Sequence, residues 1–130
     1  MVGKASRAKK IAVIQDKTII NSLVDQINAY PSDTVLFVGA SSIELISRVY
    51  DNALKVIVIE EDINLVNKLQ RVMITSQKQS KLKVINANFE QSIFPCFTIG
   101  VINAPFSVIL WDYMQICNYI FIFSLTLSNF

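Results

Sequence analysis

Four short segments of this chain carry residues whose types and spacing can do chemistry. Glu60 opens an acidic triplet, Glu60-Glu61-Asp62, directly after an apolar run at residues 55–59. A carboxylate at the end of a second strand is placed to accept hydrogen bonds from both hydroxyls of a ribose, which points to an adenosine-type ligand. Gly39-Ala40-Ser41-Ser42 follows the run TVLFV at residues 34–38. Small residues there let a backbone approach a ligand, and their amides open a helix. Asn86-Ala87-Asn88 follows a third apolar run and offers amides that donate and accept. Asn103-Ala104-Pro105-Phe106 joins an amide to a rigid turn and an aromatic ring after a fourth. Two have a plainer reading: Glu60 as a solvated carboxylate capping the next helix, and 103–106 as an Asx-type turn whose phenylalanine fills the core.

What the chain lacks is equally informative. There is no histidine, so a Ser/His/Asp triad, a Cys/His dyad and a histidine-ligated metal site are all excluded, and no metal is expected. Of the three glycines, Gly3, Gly39 and Gly100, no two share a phosphate-loop spacing, which excludes a P-loop and a dinucleotide fingerprint. Cys96 and Cys117 stand in apolar surroundings and supply neither a close thiol pair nor four zinc ligands; they read as buried spectator thiols in a reducing, intracellular compartment.

These segments need a scaffold. A chain of 130 residues, 52% hydrophobic and 17% charged with a net charge of +2, makes one domain with one core and is too apolar for disorder. The spacing of Ile19, Ile20, Leu23, Val24 and Ile27 predicts a helix over residues 17–29, ended by Pro31 and Ser32. Strands are predicted at 34–38, 55–59, 82–85, 98–102 and 119–123, with helices at 42–50, from Asp62 through Val72, and at 107–115. Strands alternating with helices give the α/β class: a parallel sheet covered on both faces. Such sheets bind ligands outside the carboxyl ends of their strands, where the four segments fall.

In that order and spacing the segments resemble the rRNA adenine dimethyltransferases, most of all the eukaryotic members. The likeness runs from about Ile11 to about Trp111, through DKTIINSLVDQI, DTVLFVGASS, KVIVIEEDINLV, KLKVINAN and INAPF. It implies a Rossmann-like class I methyltransferase sheet, truncated after about five strands. The implied organisation is a basic lead-in at 1–16 and an incomplete methyltransferase domain at 17–130, with the family's C-terminal helical domain absent. The implied activity transfers methyl groups from S-adenosylmethionine to two adenines of small-subunit rRNA, with rRNA or a pre-ribosome as partner. The resemblance assigns cofactor contacts to Ile11, Gly39, Ser41, Glu60, Asn88 and Asn103. In the catalytic motif, Asn103 and the carbonyl after it hold the adenine amine, Pro105 fixes the turn and Phe106 stacks on the base. The family's acidic residue and three glycines in the first loop correspond to Phe37, Gly39, Ser41 and Ile43. Its lead-in glutamine corresponds to Ile11, its aspartate to Asn88 and its motif tyrosine to Phe106. Ser41 and Ile43 add bulk where a cofactor and a helix–strand contact need space, so a non-catalytic RNA-binding or ribosome-assembly relative is the alternative.

Lys4, Arg7, Lys9 and Lys10 form a basic start that suits phosphates without sequence preference, or a solvated terminus. Lys78, Lys81 and Lys83 read as a solvated turn. Residues 113–130 carry no charge but are interrupted by Asn118, Ser124, Thr126 and Ser128, so a buried strand is favoured over a membrane span. A sheet cut short would expose apolar surface and an edge, and self-association is expected. The resemblance implies the nucleolus, nucleus or cytoplasm, while a basic, acid-free start also permits a mitochondrial address.

Overall fold

The computed structural model describes residues 16–40, 42–88 and 96–102. In chain order these hold α1 (Lys17–Ile27), β1 (Thr34–Val38), α2 (Ile43–Asn52), β2 (Lys55–Glu60), α3 (Ile63–Thr75), β3 (Leu82–Asn86) and β4 (Ile99–Ile102). The predicted helix at 107–115 and fifth strand at 119–123 lie outside the described residues.

Local chemistry sets the ends of the helices. The Asp16 carboxylate accepts from the Thr18 and Ile19 amides at 2.8 and 3.3 Å and starts α1. Ser42 Oγ accepts from Leu45 N at 3.2 Å to start α2, and Asp62 Oδ1 accepts from Asn64 N at 2.8 Å to start α3. α1 stops before Pro31, because Asn28 adopts the left-handed conformation at φ 46° and its amide closes on Val24 O. Asparagine tolerates that conformation better than most residues, so the asparagine acts first.

The sheet is parallel throughout, in the order β3-β2-β1-β4. Val35 and Phe37 pair with Val56 and Val58 on one side and with Ile99 and Val101 on the other. These six face the helices and share a core with Ile20, Leu23, Leu45, Ile46, Val49, Leu69 and Met73. Leu36, Val38, Ile57 and Ile59 alternate onto the opposite face and are buried as well, so both faces are covered. Strand and helix therefore alternate as expected, and all three described helices lie on one face.

Two expectations need correction. Cys96 is exposed, because Phe97 takes the buried position at the approach to β4; Cys117 lies outside the described residues. Lys78 and Lys81 do not form a solvated turn. Lys78 Nζ donates to Ser47 Oγ at 2.7 Å and pairs with Asp51, while Lys81 Nζ donates to Tyr50 O and Ala53 O at 2.7 and 2.8 Å. Both ammonium groups thus satisfy the carboxyl end of α2, where the helix dipole favours positive charge. Lys81 also lies 4.6 Å above the Tyr50 ring. Burial pushes the Tyr50 phenol up, but hydrogen bonds from Ser80 and the Lys81 amide, with the Lys81 charge, outweigh it and hold the phenol below its ordinary value. Lys83 is exposed.

Candidate functional site

β1 lies between β2 and β4, so the chain reverses its direction across the sheet at β1. Crevices at such reversals open at the carboxyl ends of the strands. Gly39 ends β1 at φ 98°, a conformation that a Cβ would penalise, and its amide donates to Ile59 O at 2.8 Å. The first loop is thereby fastened to the end of β2.

Glu60 tightens that junction. Its Oε1 accepts from Ala40 N at 2.7 Å and its Oε2 from Asp62 N at 2.8 Å, so one half-buried carboxylate holds the loops after β1 and β2 together. Each oxygen uses one lone pair and keeps another, leaving capacity for two hydroxyl donors. From β3, Asn86 Nδ2 donates to both Glu60 O and Glu61 O at 3.0 Å, and Ala87 N donates to Glu60 O at 3.2 Å. The Glu60 backbone is therefore fixed from one side while its carboxylate faces the other loop.

Of the residues that sequence reasoning singled out, Gly39, Glu60 and Asn88 are brought to one edge of the sheet. Ile102 pairs with Val38, so Asn103 is the next residue along the chain from a position beside Gly39's predecessor. Ile11, Ser41, Asn103, Pro105 and Phe106 lie outside the described residues, as do Lys4, Arg7, Lys9 and Lys10. Phe37, at the family's acidic position, is 1% exposed within the core and offers no polar atom. Ile43 is half-buried and packs against the core at the start of α2. The sequence singled out the segments that hold Ala40, Ser42 and Asn86 but not the bonds they make: Ala40 N to Glu60, the Ser42 cap and the Asn86 side chain to the Glu60 and Glu61 carbonyls. A serine just before a periodic apolar run was a readable signal for the cap. An amide that reaches back to two carbonyls at the end of β2 and just beyond it leaves no local pattern.

A profile of the family described as ribosomal RNA adenine dimethylase matches residues 6–124. The chain belongs to this family. Among curated relatives, the probable dimethyladenosine transferase of Dictyostelium discoideum is 29% identical over 96 residues, covering 74% of this chain and 31% of that protein. The dimethyladenosine transferase of Saccharomyces cerevisiae is 25% identical, covering 74% of this chain and 30% of the relative. The chain thus spans about a third of the length of these relatives. A dimethyladenosine transferase structure from Plasmodium falciparum superposes with a TM-score of 0.73 at 21% identity, covering 84% of this chain and 40% of that one. The 23S rRNA methyltransferase ErmE gives 0.67 at 22%, covering 83% and 44%. An RNA methyltransferase from Salinibacter ruber, solved with S-adenosyl-L-homocysteine, gives 0.66 at 14%, covering 78% and 69%. The family fold, a Rossmann-like methyltransferase sheet, is therefore that of this chain.

Proposed function

We propose that this chain carries the cofactor-binding part of an S-adenosylmethionine-dependent rRNA adenine N6,N6-dimethyltransferase, acting on small-subunit rRNA or a pre-ribosome. The observation that carries the reading is the Glu60 carboxylate at the reversal point, joined to the Ala40 and Asp62 amides with acceptor capacity to spare. Glu60 accepts from the ribose hydroxyls, Gly39 and Ser41 line the methionine moiety, and Asn88 accepts from the adenine amine. Ile11 covers the site with an apolar contact. S-adenosylmethionine, when bound, supplies a methyl group on a positively charged sulfur.

Asn103 and the carbonyl after it accept hydrogen bonds from the target amine and so draw its lone pair out of the ring, ready to attack. Pro105 fixes that turn. Phe106 stacks on the extruded base, which contributes roughly 1–3 kcal/mol towards holding it. Lys4, Arg7, Lys9 and Lys10 meet RNA phosphates. In this reading residues 1–16 are the lead-in and 17–130 belong to the methyltransferase domain.

Calorimetric titration with S-adenosylmethionine tests the reading, with labelled methyl transfer to rRNA as its second stage. Binding that Glu60→Ala abolishes supports it; no binding by a folded chain refutes it. A second reading, an RNA-binding relative without catalysis, is favoured by the buried Phe37 at the position of the family's acid. It predicts salt-dependent RNA binding with no cofactor binding at all.

A further inference from the structure

The described charges are distributed unevenly along the chain. Every described acid falls within residues 16–62, whereas residues 63–88 carry Lys68, Arg71, Lys78, Lys81 and Lys83 and no acid. Lys78 and Lys81 are committed to the end of α2. The side chains of Lys68, Arg71 and Lys83 make no hydrogen bond or ion pair among the described residues, and all three are exposed.

Lys68 and Arg71 share one face of α3. That helix buries Val66, Leu69 and Met73, which leaves Asn64, Asn67, Lys68 and Arg71, at spacings of three and four, together on its outer side. The charges attract phosphates, and the flanking amides donate to phosphate and sugar oxygens. Lys83, on the edge strand β3, pairs with Ile57 and so projects from the sheet face opposite α3; the patch consists of Lys68 and Arg71 with their flanking amides.

We propose that this outer face of α3 docks the sugar–phosphate backbone of RNA without regard to base sequence. The inference rests on RNA being the partner, and it is independent of the cofactor site. A lipid surface fits less well, since the apolar face of α3 is already used in the core. Of its exposed Ile63, Val72 and Ile74, the first and last stand near opposite ends, roughly 16 Å apart along the axis at about 1.5 Å per residue, and Val72 falls on the other side of the helix, so the three form no wedge. An acidic protein partner would want a central apolar or aromatic anchor, which this face lacks.

The test is fluorescence anisotropy with the full chain and a labelled single-stranded RNA over a salt series, comparing wild type with Lys68→Gln/Arg71→Gln. Both positions are exposed, and circular dichroism checks that the variant is folded. The expected result is a plot of log affinity against log salt that is shallower by about 1.4 in the variant, from about 0.7 per phosphate contact on single strands. The loss is equal for two RNAs of different base composition. Unchanged slopes overturn the proposal, as does wild-type protein that ignores RNA while binding phosphatidylserine vesicles or poly-glutamate. Parallel S-adenosylmethionine titrations separate the two ideas. Cofactor binding with an unchanged RNA slope overturns the docking face alone, and a reduced slope without cofactor binding overturns the enzyme reading alone.

Discussion

The two ends of the sheet each carry one carboxylate that accepts one hydrogen bond on each oxygen, yet the two ends are built for different work. At the amino end, Asp33 Oδ1 accepts from Thr98 Oγ1 and Oδ2 from Tyr30 N, both at 2.8 Å, while Asp33 O accepts from Leu54 N and Lys55 N at 2.9 and 3.3 Å. Thr98 Oγ1 in turn accepts from Thr34 N at 3.0 Å. The starts of β1, β2 and β4 are thereby tied into one buried knot, with Asp33 only 8% exposed. At the carboxyl end, Glu60 ties two loops in the same manner but stays half-exposed. The comparison teaches that access, not the number of bonds, separates a structural carboxylate from one able to receive a ligand.

The largest effect is expected at the amino end. Asp33→Ala strands the Tyr30 amide, leaves the Thr98 hydroxyl only its longer contact to Thr34 O at 3.2 Å, and should cost about 2–4 kcal/mol of stability, read from urea denaturation. S-adenosylmethionine affinity should be unchanged wherever the variant remains folded; a direct loss of affinity there would break the comparison. At the carboxyl end the pattern should invert. Glu60→Gln is expected to weaken S-adenosylmethionine at least tenfold in calorimetry, because one acceptor oxygen becomes an amide nitrogen that accepts nothing and the other loses its charge. With the amide oxygen kept on Ala40 N, only the exposed Asp62 amide is released, and stability from urea denaturation falls by about 1 kcal/mol. A large stability loss with intact affinity would make Glu60 another structural knot.

Thr98 sharpens the contrast within the knot. Thr98→Val removes the hydroxyl while keeping the shape and should cost about 1–2 kcal/mol, whereas Thr98→Ser retains the bonds and most of the stability. Equal losses in the two variants would shift the credit from hydrogen bonding to packing. The smallest effect lies at the end of α2. Absorbance at 295 nm should find one phenol, absent in Tyr50→Phe, that titrates below the ordinary 10.0, with Lys81→Met raising its midpoint. Between the folded midpoint and 10.0 the unfolded chain binds more protons at Tyr50. This group's contribution to stability therefore grows as pH rises through that window and is lost as pH falls below it. A midpoint at or above 10.0 would contradict the bonding around Tyr50.

Much of the scaffold was legible in the residues. Apolar runs of five or so with β-branched residues located β1 to β4 to within a residue or two, and helical spacing located α1 to α3. Glu60 was legible as a candidate because its position follows from where a strand ends. Its grip on Ala40 was not, since that bond spans twenty positions and depends on β1 and β2 lying side by side. The basic turn misled for the same reason: Lys78 and Lys81 look solvated until α2 is packed beside them.

By itself, then, the sequence determined the alternation of strand and helix, the family, and which residue types arrive at the strand ends, because periodicity and capping act between near neighbours along the chain. Only the tertiary structure decided the order β3-β2-β1-β4, the closure of the Asp33–Thr98 knot and the choice of cations left unspent on α3. Those outcomes depend on contacts between residues distant in sequence, whose partners and solvent access are fixed only when the core packs.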